Sequence, residues 1–131
     1  MRVQGGVSLI ELMLVVAILG LLLTLALPSY QGHLASGYRS DAIANLMKLA
    51  NLQERYYLSY QSYTDDMTRL GLAADPWVID GGRYALDAES AGADSFLLKA
   101  TALGSQAASD PGCASITLSD QGARAPAECW Q

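Results

Sequence analysis

Residues 7 to 27 read VSLIELMLVVAILGLLLTLAL and carry a single charge, that of Glu11. A helix of this length rises about 30 Å, the thickness of a bilayer's hydrocarbon core. No other feature constrains the fold as strongly, because a helix that is apolar on every side has to be surrounded by lipid or by a large protein core. The rest of this 131-residue chain is too small to bury it. A cleaved secretory signal also uses such a run, and Arg2 precedes this one. Signal cores, however, span about 7–15 residues and close on a small-residue A-x-A site. Neither condition holds, so the segment reads as a membrane-spanning helix.

Glu11 is the anomaly within it. An ionised carboxylate at hydrocarbon depth costs about 2.5–3.5 kcal/mol on insertion scales. No Lys or Arg lies in the run, so a partner has to come from outside this helix or from a backbone amine. Alternatively, Glu11 lies at headgroup depth near the N-terminal end, where the penalty shrinks. Helix physics leaves both readings standing.

Charge excludes several function classes. Eight Lys and Arg against 13 Asp and Glu give a net charge of -5, and the basic residues are scattered from Arg2 to Arg124 rather than clustered as on a nucleic-acid footprint. Direct nucleic-acid binding is not expected; DNA contact would need a basic patch formed only in an assembled oligomer. No Ser, His, Cys and Asp constellation and no phosphate-binding loop suggests an enzyme. The lone His33 and two cysteines are too few for structural zinc. Asp65 and Asp66 fall short of the six or more oxygens a hard cation requires. No cofactor and no metal site is expected.

Past Pro28, which bends or ends a helix, Leu34, Tyr38, Ala42, Leu46, Leu49 and Ala50 recur at spacings of three or four. That spacing predicts an amphipathic helix over 30–58. Met67 to Leu70 reads as a short helical turn, capped by Thr64 and stopped by Gly71. Strands are predicted at 83–88, 95–102 and 115–118, with 89–94 as the turn of a hairpin. The fold class is α+β: a long N-terminal helix on a small antiparallel sheet of three or four strands.

Gly6-Val7-Ser8-Leu9-Ile10-Glu11-Leu12 resembles the processing and methylation motif of type IV pilins and pseudopilins. The resemblance implies a leader of residues 1–6, cut after Gly6 by a membrane-embedded prepilin peptidase that then methylates the amine of Val7. Most of the family begins the mature chain with Phe or Met, and this chain has Val7 there. Glu11 becomes the fifth mature residue, implied to meet the N-terminal ammonium of a neighbouring subunit during assembly. Gly20 and Pro28 stand where pilins commonly carry a glycine and a helix-bending proline. The resemblance further implies three segments: the leader, a transmembrane and filament-core helix over 7–29, and a periplasmic globular domain over 30–131. Residence in the bacterial inner membrane and then in an extracellular pilus follows. The implied partners are other pilin subunits, the peptidase and methyltransferase, and an inner-membrane assembly platform.

Gln53-Glu54-Arg55-Tyr56-Tyr57, Tyr63-Thr64, Leu70-Gly71-Leu72, Gly122 and Cys129-Trp130 are similar to the PilE class of minor pilins. In this class a cysteine pair bounds a C-terminal loop, here Ala114 to Glu128. With the globular domain in an oxidising compartment, Cys113 and Cys129 are expected to form a disulfide. The implied function is a minor pilin of a type IV pilus, serving motility, adhesion or DNA uptake. A type II secretion pseudopilin, a major pilin, and a non-assembling anchor that presents a small binding domain are the alternatives.

Overall fold

The computed structural model describes residues 5–131; Met1 to Gln4, and with them most of the expected leader, lie outside the described residues. The chain divides into two units, one ending at His33 and the other comprising Leu34–Gln131.

One helix, α1, runs Leu9–Tyr60 with Pro28 inside it. The one long helix expected from the sequence, with an apolar half and an amphipathic half, is present as a single element. Pro28 has no N–H to give and leaves the Thr24 carbonyl without its helical donor, yet the helix continues through it. In the first unit every described side chain is exposed. Its most apolar 18-residue window has a mean hydropathy of 2.7.

In the second unit α1 buries Ala35, Ala42, Leu46, Leu49 and Gln53, one stripe at helical spacing. The start of that stripe differs from expectation, because Leu34 is 41% exposed and Ala35 is buried. Gln106 donates to the Ala35 carbonyl at 2.9 Å, so at this point the helix presents a small residue and its backbone.

The sheet is an antiparallel meander in the order β1-β2-β3-β4-β5, with β1 at Trp77–Val78, β2 at Tyr84–Ala91, β3 at Phe96–Ala102, β4 at Ser115–Ser119 and β5 at Arg124–Ala125. The three strands marked in the sequence are β2, β3 and β4. The two edge strands have two residues each, too few to show a period. Alternation sends Tyr84, Leu86, Leu98, Ala100, Ile116 and Leu118 into the core with the helix stripe. A register shift between Ala88 and Ser90 carries pairing on to Ala91, which shortens the hairpin turn predicted at 89–94. A short helix, α2, spans Ser105–Ser109.

The loop after α1 contains the expected helical turn at Met67–Leu70. Its cap is Asp66 rather than Thr64: the Asp66 carboxylate accepts from the Thr68 amide at 2.9 Å and the Thr68 hydroxyl at 2.5 Å. The Thr64 hydroxyl accepts from the Asp66 amide one step earlier. Gly71 closes the turn with φ +87°, a conformation that favours glycine.

Candidate functional site

The first unit carries most of the residues singled out in the sequence. Gly6 and Val7 precede α1 in exposed chain, and Glu11 lies in the first helical turn. There the uncompensated backbone N–H groups favour a negative charge. Glu11 makes no ion pair among the described residues. A Cβ built on Gly20 meets nothing within 4 Å, so packing inside the single chain gives no reason for glycine there. The Thr24 hydroxyl donates to the Leu21 carbonyl at 2.7 Å, one turn before Pro28. Val7, Leu14, Leu22 and Leu25 are among the large apolar side chains left exposed.

In the second unit, Cys113 and Cys129 are joined by a disulfide, with Cα atoms 5.8 Å apart. Cys113 ends a short turn before β4, and Cys129 lies in a 3₁₀ turn at Ala127–Trp130. The segment between them is tied into the sheet, because Thr117 and Leu118 pair with Ala125 and Arg124. The bridge is also fastened to α1. Arg39 Nη1 lies 3.0 Å from an Asp110 carboxylate oxygen and 3.1 Å from Cys113 Sγ. Gln106, buried, joins the Ala35 carbonyl to the Tyr84 hydroxyl, which donates to the Cys113 carbonyl at 3.3 Å. Burial pushes the Tyr84 phenol above its ordinary pKa, although the Gln106 bond works the other way. Sequence reasoning missed Arg39, Tyr84 and Gln106 as a set. They are far apart in the chain, and no periodic signal links them.

Gln53, noted in the sequence only within a motif, is fully buried. Its amide donates to the Thr64 carbonyl at 2.5 Å, and its oxygen accepts from the Thr64 N–H at 3.0 Å. This two-bond clamp holds the loop against α1. The Tyr63 phenol is also raised, by burial first and then by its bond to Glu54.

The cations are engaged within the fold. Arg39, Arg69 and Lys99 pair with Asp110, Asp66 and Glu89. Lys48, Arg83 and Arg124 stand over the rings of Trp77, Tyr38 and Trp130. Among the described residues only Arg55 has neither kind of partner.

A long helix whose first part is an exposed apolar rod and whose second part packs on an antiparallel meander, with a disulfide near the C-terminus, is the architecture of a pilin. Residues 1–27 match the family described as the prokaryotic N-terminal methylation motif. Residues 28–117 match the family described as type IV minor pilin ComP, DNA uptake sequence receptor. The chain belongs to the type IV pilin family. Similar proteins include a type IV major pilin protein PilE1 of Neisseria gonorrhoeae, 37% identical over 86 residues that make up 66% of this chain and 52% of that one. A type IV major pilin protein PilA of Myxococcus xanthus is 33% identical over 106 residues, 81% of this chain and 46% of that one. The chain thus spans about half the length of the curated relatives it matches. The solved structure of a type IV pilin from Shewanella oneidensis is 31% identical, with a TM-score of 0.52, covering 74% of this chain and 98% of that one. The family resemblance holds, and so does the α+β architecture, with five strands in the sheet in place of the three or four expected.

Proposed function

We propose that this chain is a minor pilin: a structural subunit that is trimmed in the bacterial inner membrane and then packed into an extracellular type IV pilus. The carrying observation is the exposed apolar rod of the first unit, with Glu11 as the one charged residue between 7 and 27. Residues 7–29 hold the precursor in the membrane, and 30–131 form the periplasmic domain. A prepilin peptidase removes residues 1–6 and methylates Val7. The inner-membrane platform then passes the subunit into the fibre beside other pilin subunits.

Glu11 supplies register. Paired with a neighbour's N-terminal ammonium at about 4 Å, it gains about 1 kcal/mol in water and about 4 at an effective dielectric near 20. A neighbour displaced by one turn leaves a charge unpaired in an apolar setting. Gly20 and Pro28 locally weaken the helix, where a rod that leaves lipid for a fibre has to adapt. The Cys113–Cys129 bridge favours a pilus over a secretion pseudopilin, whose close relatives usually lack such a loop.

The test is intact-mass spectrometry of sheared fibres and washed inner membranes. The expected result is a chain that starts at a methylated Val7, holds one disulfide, and is a small fraction of the fibre mass. High abundance in fibres would mark a major pilin instead, and processed chain confined to membranes a pseudopilin. An uncut chain starting at Met1 would sink the filament reading. Glu11→Ala should still insert in the membrane but fail to enter fibres.

The matched family's description as a DNA uptake sequence receptor supports a second reading, in which this subunit contacts DNA. The net charge of -5 and the scatter of the basic residues weigh against the isolated chain doing so. Binding of duplex DNA by assembled fibres but not by micelle-held monomer is the outcome that reading requires.

A further inference from the structure

Beside the sheet's first edge, α1 and β1 enclose a cleft of about 270 Å³ lined by Asp41, Asn45, Lys48, Trp77, Ile79 and Asp80. We propose that this cleft is a binding site for one neutral sugar ring. The proposal does not depend on how the chain assembles.

The helix side is a stripe of three polar residues at spacings of four and three, which places them on one face. The strand side presents an indole. Trp77 is half-buried on a two-residue edge strand and packs in part against the core, and Lys48 Nζ stands 5.6 Å from its ring centroid. Buried Ile79 adds an apolar patch. Asn45 uses one amide hydrogen on the Asp41 carbonyl at 2.9 Å, which leaves its oxygen free as an acceptor. The Asp41 and Asp80 carboxylates are exposed and make no ion pair among the described residues.

Such a set suits a molecule with an apolar face and a rim of hydroxyls. A sugar ring takes the place over the indole where the exposed Lys48 ammonium now stands, its C–H face replacing that flexible side chain on the ring. The two carboxylates and the Asn45 oxygen accept from its hydroxyls, and the ammonium donates to one. Size limits the occupant, since the cleft is smaller than the roughly 300–1,000 Å³ of drug-sized sites and holds one ring rather than a chain. Charge limits it further. Two carboxylates against one ammonium disfavour an anionic sugar or a nucleotide.

The test uses the full chain with ¹⁵N label in phosphocholine micelles, avoiding glycoside detergents whose head groups would compete. Methyl β-glucopyranoside and methyl β-galactopyranoside are titrated to about 50 mM, a range that reaches weak millimolar sites. The chain has two tryptophans, so the Trp130 indole serves as the internal control. The expected result is a saturable shift of the Trp77 indole N–H with at least one of the two sugars, and none at Trp130. Asp41→Ala and Asp80→Ala, at exposed positions that preserve the fold, should each weaken binding about tenfold. Glucuronate should bind more weakly than the neutral glycosides. The proposal is overturned if neither neutral glycoside shifts Trp77, if both indoles respond alike, if both alanine variants bind like the parent, or if glucuronate binds as tightly.

Discussion

Leu22 and Leu46 belong to one helix and one residue type, yet Leu22 is 56% exposed and Leu46 is fully buried. The contrast extends across the two units. In the first, every described side chain faces outward. In the second, Leu46, Leu49, Tyr84, Leu86, Leu98 and Ile116 close on one another. Burying a leucine is worth about 1.5–3 kcal/mol, and the second unit collects that energy within one chain. The first can collect it only from lipid or from other helices. One unit thus packs on itself, while the other leaves its apolar surface to be covered from outside the chain.

Core substitutions should break this symmetry of composition most strongly. Leu46→Ala is expected to lower the stability of the second unit by about 2–5 kcal/mol, whereas Leu22→Ala should leave it unchanged. Denaturant unfolding followed by Trp fluorescence in micelles measures both. Equal losses would mean that the two units are not energetically separate. Removing the bridge with the pair Cys113→Ser and Cys129→Ser should cost about 3 kcal/mol, the chain-entropy value for a loop of roughly 15 residues. Next comes Gln53→Leu, which leaves the Thr64 N–H and carbonyl unpaired and should cost about 1–3 kcal/mol. Hydrogen exchange at the Thr64 amide should quicken, and an unchanged rate would count against the clamp. Arg39→Gln should cost no more than about 1 kcal/mol, since its pair with Asp110 is partly exposed and screened.

The pH response is expected to be smallest, because Asp87 keeps part of its hydration. Burial chiefly, with the neighbouring Asp75 and Asp65 charges, raises the Asp87 carboxyl above its ordinary value, against the Ala88 amide bond that lowers it. Folding therefore favours the protonated form, and stability falls as pH rises from the unfolded carboxyl range through the raised value. Asp87→Asn should remove that fall and be the more stable protein at neutral pH. Asp66 acts in the opposite sense: its bonds to Thr68 lower its pKa, so its contribution disappears as pH drops through the acid range. Urea midpoints from about pH 2 to 7, about two units below to three units above the ordinary aspartate value, separate the two.

Legibility in the sequence followed the length of each signal. The apolar run needed only its length and composition. The strands β2, β3 and β4 alternate over five residues or more and were predicted at nearly their observed positions. The edge strands are too short to alternate, and their pairing depends on β2 and β4 being in place. Thr64 was a reasonable cap by residue type, but the Gln53 clamp fixes its backbone and hands the cap to Asp66. Ala35 displaced Leu34 from the buried stripe because Gln106 meets the helix backbone there, a contact 71 residues distant along the chain.

By itself the sequence determined that the apolar run 7–27 has to be surrounded by something other than this chain, that Glu11 is the one charge within it, and that a small α+β unit follows. Each of these depends on neighbours within one element, where period and length are enough. Only the tertiary structure decided that Arg39 meets Asp110 and Cys113, that Gln53 holds Thr64, and that Trp77 faces Asp41, Asn45 and Lys48 across a cleft. Those juxtapositions join residues from separate elements. No local propensity encodes them, because their geometry exists only once helix and sheet have packed.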